Sequence, residues 1–210
     1  MTLNRLLPLL APLTSYALDE MYFFYPKLIY LAVIFINLLI FFTVWRFGAA
    51  SQVDREWWNY LILPAVMSTA IIAYSVFLNS RSVIQLLFVL NLLFLYVYFR
   101  QIYYYLLKPR SYEVFSIENI SSYASWLSFF FLAATVYGLE SFLDFPIFYL
   151  ALVVLAATAL ISYQIIWVNK IELKKAWLYI LISCLVLVEL CWSISFLPFN
   201  YNISGLCLAI

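Results

Sequence analysis

The chain has 210 residues, 68% of them hydrophobic and 10% charged, with a mean hydropathy of +1.02 and a formal net charge of +1. A soluble domain must cover its outside with polar groups, so the expected solvent here is lipid. A near-zero charge gives a nucleic-acid partner no electrostatic support, and a chain with no His lacks the commonest metal ligand and general base.

Residues 1–27 come first. Arg5 precedes a short apolar run, Leu6 to Leu13, which Pro8 and Pro12 interrupt. Ser15-Tyr16-Ala17 has small residues at its first and third places, as a signal-peptidase site would. A span needs about 20 apolar residues, so this segment reads as one lying in the membrane interface.

The first expected span is Leu28 to Trp45, between Lys27 and Arg46. The second, Tyr60 to Leu78, follows the interfacial pair Trp57 and Trp58 and carries Pro64 in its first turns. The third, Ser82 to Phe99, begins after only Asn79 to Arg81, so the two form a tight antiparallel hairpin. A connector from Arg100 to Glu118 mixes Arg100, Lys108 and Arg110 with Tyr103, Tyr104 and Tyr105, which suits the headgroup region.

The fourth span is Ile120 to Leu139. Ser121, Ser125, Ser128 and Thr135 share one of its faces, a pattern of helix–helix contact. The fifth is Phe145 to Val168 and the sixth Ala176 to Phe196. A turn-like cluster, Pro198 to Asn202, then leads into the apolar run Ile203 to Ile210. That run is too short to cross and reads as a partial seventh span in a piece of a longer protein. Tyr60–Ser80 also lays over Tyr149–Asn169 without gaps, as in an inverted three-span repeat.

Lys and Arg are counted by loop to set orientation. The loops after spans one, three and five hold Arg46, Arg55, Arg100, Lys108, Arg110, Lys170, Lys174 and Lys175. Arg5, Lys27 and Arg81 fall on the other side. The basic loops are therefore expected in the cytoplasm and the N-terminus outside.

Glu189 is the one charge inside the sixth span, near the bilayer centre. Placing a carboxylate there costs about 2.5–3.5 kcal/mol, so it must face protein, take up a proton or find a partner. Ser193 lies one turn on, on the same face. Asn37 in the first span and Asn91 in the third sit at similar depth and can donate hydrogen bonds. Glu189, Asn37, Asn91 and Ser193 are the candidate intramembrane polar site.

No catalytic, cofactor or metal motif accompanies them. Three Gly cannot build a phosphate loop, and no His is present to activate a Ser or hold zinc. Cys184, Cys191 and Cys207 fall in apolar runs and read as small core residues. The acid pairs Asp54/Glu56 and Glu140/Asp144 read as solvated flanks of the spans.

The run Glu189-Leu190-Cys191-Trp192, followed by Ser195-Phe196-Leu197-Pro198-Phe199 and Gly205, resembles an end-of-helix feature of an uncharacterised multi-spanning bacterial membrane protein family. The resemblance covers about the last tenth of the chain and implies no activity.

The expectation is an all-α polytopic bundle of six spans plus a partial seventh, in the cell (inner) membrane. It is non-enzymatic, without cofactor or metal. Its expected partner is the lipid bilayer, with no nucleic acid; a membrane-protein partner or a homo-oligomer is left open by the sequence. The rival expectation is a small-solute or ion transporter that uses Glu189.

Overall fold

The computed structural model describes residues 2–51, 57–107, 116–171, 173–196 and 201–209. Asp54, Arg55, Glu56, Lys108, Arg110 and Glu172 lie outside this set, as does the 197–200 part of the C-terminal turn. Every described element is helical. They are α1 (Thr2–Phe24), a short 3-10 turn (Pro26–Leu28), α2 (Ile29–Ala50), α3 (Asn59–Ser75), α4 (Arg81–Leu107), α5 (Ser116–Leu143), α6 (Ile147–Val168), α7 (Leu173–Ser195) and α8 (Tyr201–Ala209).

Five stretches are long and apolar enough to cross a membrane: Pro26–Ala50, Arg81–Leu107, Ile117–Leu143, Phe148–Val168 and Ala176–Ile194. The remaining expected span, the second, is α3, whose 17 residues fall short of the usual length. Eleven of those residues are buried, so protein surrounds α3 more than lipid does. Its neighbours are α2, α4, α5 and α6. The partial seventh is α8, nine residues docked on α5 and too short to cross.

The N-terminal segment differs most from expectation. It forms one helix of 23 residues that runs through Pro8 and Pro12 and packs along α4 and α2. Leu7, Ala11, Ser15, Asp19 and Tyr22 are all buried, at spacings of four, four, four and three. That is the stripe of a helix with one face in a core. The helix is part of the bundle, not a segment apart from it. Its hydropathy is depressed by Asp19, Glu20 and the two prolines, which hid it among the apolar runs.

Helix α1 is antiparallel to α4. Asp19 meets Asn91, and Arg5 lines the same surface pocket as Tyr96, Arg100, Tyr103 and Tyr104. The sequence count puts Arg5 at the end opposite Arg100; the structure puts them together. The short turn after Phe24 reverses the chain into α2, so the start of α1 lies at the basic end.

That end also carries stacked and edge-on aromatic pairs: Phe47–Tyr103 at 6.0 Å, Trp58–Tyr163 at 6.0 Å and Tyr60–Trp167 at 4.8 Å. Aromatic rings with one polar tip favour the membrane interface. The Tyr60–Trp167 contact makes α3 and α6 antiparallel.

Two hydrophobic clusters fill the bundle. The larger joins α1 to α5 and contains Ile36, Ile40, Met67, Phe88 and Phe99. The smaller joins α5 to α6, α7 and α8 through Ala133, Tyr137, Val154 and Cys191. Helix α5 belongs to both. Its hydroxyl face (Ser121, Ser125, Ser128 and Thr135) is buried beside Ala124, Ala133 and Ala134. Small side chains let neighbouring backbones approach closely.

Candidate functional site

The four polar residues singled out from the sequence do not meet. Asn37 is half-buried on α2, where its Nδ2 donates to Val33 O at 2.8 Å and to Thr69 Oγ1 at 3.1 Å. Asn91 is fully buried on α4, among side chains from α1 and α3. Glu189 and Ser193 are exposed on the outer face of α7.

An inner polar cluster has formed instead at the α1–α3–α4 interface. Asn91 Nδ2 donates to Asp19 Oδ2 at 3.3 Å, and Ser68 Oγ donates to Asn91 Oδ1 at 3.0 Å. Asp19, Asn91 and Ser68 all have no accessible surface. Next to them Gln85 Nε2 donates to Glu20 Oε2 at 3.1 Å, and Tyr16 donates its hydroxyl proton to Gln85 Oε1 at 3.4 Å. Tyr22 and Ser75 share a hydrogen bond at 2.6 Å. Helix α1 thus adds two carboxyls to the middle of α3 and α4, where the sequence shows only amides and hydroxyls.

The cluster is incompletely paired. Asp19 Oδ1, Glu20 Oε1 and Ser15 Oγ are buried without a hydrogen-bond partner. Ser15 and Asp19 are four residues apart and both fully buried, so they lie on one helix face a turn apart. Among the described residues the charged neighbour of Asp19 is Glu20, a second acid, and no base faces the pair. The sequence signal for this site was available. Asp19 falls on the i, i+4 stripe that starts at Leu7, and an acid on an apolar stripe points into the protein.

The outer feature is α7. It is the least buried of the five candidate spans, at 22%, and packs mainly on α6. Its inner side is Ala176, Ile180, Cys184, Cys191 and Ile194. Glu189 lies roughly opposite, since consecutive residues turn by about 100°. Leu178, Ile182, Leu185, Glu189, Trp192 and Phe196 form a continuous exposed row. The spacing is four, three, four, three, four, which is the a/d repeat of a helix–helix seam. Glu189 makes no hydrogen bond with another described residue, and it occupies an a position of that row.

Among the described residues no three His, Cys, Asp or Glu come together to hold a metal. A cavity of about 480 Å³ between α2, α3, α5 and α6 is lined by Asn37 and Thr69, and otherwise almost wholly by apolar side chains. No family model, curated protein or solved structure matches this chain.

Proposed function

We propose that the protein is a non-enzymatic integral membrane protein that works by assembly, with the outer face of α7 as the surface that meets a second copy of the chain. The observation that carries this reading is Glu189 at the centre of an exposed heptad row. Facing lipid, that carboxyl costs about 2.5–3.5 kcal/mol, and a neighbouring helix with a polar group at the same depth removes much of the cost. A second copy related by a two-fold axis along the membrane normal brings such a group automatically. Residues at equal depth then face each other, a against a and d against d. The two Glu189 carboxyls and the two Ser193 hydroxyls supply donors and acceptors to one another once a proton is taken up.

The transporter alternative would need Glu189, Asn37 and Asn91 close together, and they sit on three different helices, α7, α2 and α4. In our reading α3 crosses the membrane together with the five longer helices, and α1 crosses as the antiparallel partner of α4. The basic end then collects Arg5 with the connectors after α2, α4 and α6, which leaves only Lys27 and Arg81 opposite. Such a bias places the basic end in the cytoplasm of an inner-membrane protein, with the start of the chain on that side.

Disulfide cross-linking tests the assembly reading. In a Cys-free background, single Cys residues are placed at 178, 181, 182, 185 and 188 and oxidised in the native membrane. Dimer bands at 178, 182 and 185, with weak bands at 181 and 188, are expected. No dimer at any of these positions would sink the reading.

A further inference from the structure

The carboxyl of Asp19 is fully buried, yet its one hydrogen bond is the 3.3 Å contact from Asn91. Its second oxygen has no partner, and the Ser15 hydroxyl one turn back has none either. The large majority of buried polar groups in native proteins are paired, and a buried charge is paired or coordinates a cation. Protonation does not resolve the arrangement, because an O–H on Oδ1 would find no acceptor within hydrogen-bond distance.

We propose that Asp19 and Ser15, one turn apart on the buried face of α1 and each with an unpaired oxygen, form a binding site for a monovalent alkali cation. The two unpaired ligand atoms, Asp19 Oδ1 and Ser15 Oγ, are both oxygens, which favours hard cations over the soft metals. The charge balance selects a single positive charge. Among the described residues Asp19 is the one carboxyl with no accessible surface, whereas Glu20 is half-buried and already held by Gln85. No third acid joins them among the described residues, which leaves a divalent ion short of charged ligands. From the other packed helices Asn91 on α4 meets Asp19 directly, while Ser68 meets Asn91, Gln85 meets Glu20 and Ser75 meets Tyr22, and all four are uncharged. On α1 itself the titratable neighbours are Glu20, Tyr16 and Tyr22. A proton is therefore the natural competitor for the same carboxyl. The site is independent of the α7 face, which lies on the far side of the bundle's second cluster.

The test is thermal melting of the full chain in detergent or lipid nanodiscs. Sodium chloride replaces choline chloride at constant ionic strength, and the series is repeated with lithium and potassium. Ligand that binds only the native state raises the melting point logarithmically beyond half-saturation, so each further tenfold in sodium gives the same increment. Wild type is expected to show that dependence and Asp19→Asn to lose it. Ser15→Ala, which keeps the carboxyl, should move the onset to higher sodium and serves if Asp19→Asn does not fold. Glu189→Gln should keep the full sodium response even where it changes association. Three results would overturn the site. They are no cation dependence in wild type, an undiminished sodium response in both Asp19→Asn and Ser15→Ala, or a response to pH alone.

Discussion

Asn91→Ala is the substitution on which the inner cluster depends most. It removes two cross-helix hydrogen bonds, one from Ser68 and one to Asp19. At about 0.6 kcal/mol each in a membrane protein, the bonds alone amount to about 1.2 kcal/mol. The two partners then fare differently. Ser68 can turn its hydroxyl to a backbone carbonyl one turn back. Asp19 has no such fallback, because its Oδ1 already lacks a partner. An unsatisfied buried group costs about 1–3 kcal/mol, and more when charged. The expected loss is therefore about 2–4 kcal/mol in all. Asn37→Ala is the matched control, an amide at similar depth. It gives up one cross-helix bond, to Thr69, and its other bond is to its own helix. Its expected cost is about 0.6 kcal/mol. Reversible unfolding in mixed SDS micelles, followed by tryptophan fluorescence, measures both. If Asn91→Ala costs no more than Asn37→Ala, Asp19 does not depend on Asn91 and the cluster is misread. A double-mutant cycle of Asn91→Ala with Asp19→Asn should show a coupling of the same sign as the lost bond.

Other substitutions probe the packing around this cluster. A Cβ on Gly48 would collide with Trp57, lying 2.6 Å from its Cβ, an atom the side chain cannot swing away. Gly48→Ala should lower stability by about 1–3 kcal/mol in the same unfolding assay, as overpacking does. A Cβ on Gly138 would come within 2.9 Å of Phe77 Cγ, which a swing of the side chain about its Cα–Cβ bond can move, so Gly138→Ala should cost less than Gly48→Ala. Tyr98→Phe removes the hydroxyl that donates to Tyr60 O at 3.1 Å but keeps the buried ring. It should cost about 0.5–1.5 kcal/mol, and a neutral result would mean that water or another donor takes its place.

The apolar runs made legible five helices long and apolar enough to cross a membrane, because a span needs about 20 such residues in a row. Helix α3 was found but overdrawn at its end: Val76 and Phe77 form a turn after Ser75. Helix α1 was misread, since prolines and two acids break a hydropathy signal that only a periodic reading recovers. Pro8 and Pro12 end no helix here, because the buried stripe from Leu7 to Tyr22 fixes the backbone through tertiary contacts. Asn91 was correctly drawn into the interior, but its carboxyl partner came from α1 and not from Glu189. Glu189 lies on the exposed face of α7 and, among the described residues, meets none of the other helices' polar residues. Helix α7 turns Ala176, Ile180, Cys184, Cys191 and Ile194 toward its neighbours and leaves the acid outside. Which face of a peripheral helix packs depends on side-chain size across a contact, and periodicity alone does not encode it.

The most direct test of the assembly account is a dilution series in liposomes. Wild type and Glu189→Leu, each labelled with donor and acceptor dyes, are followed by energy transfer as the protein-to-lipid ratio falls. The account predicts a dimer in wild type that Glu189→Leu weakens by about 1–2 kcal/mol, or roughly tenfold in the dissociation constant. Equal association by the two proteins, or a monomer at every ratio, would contradict it.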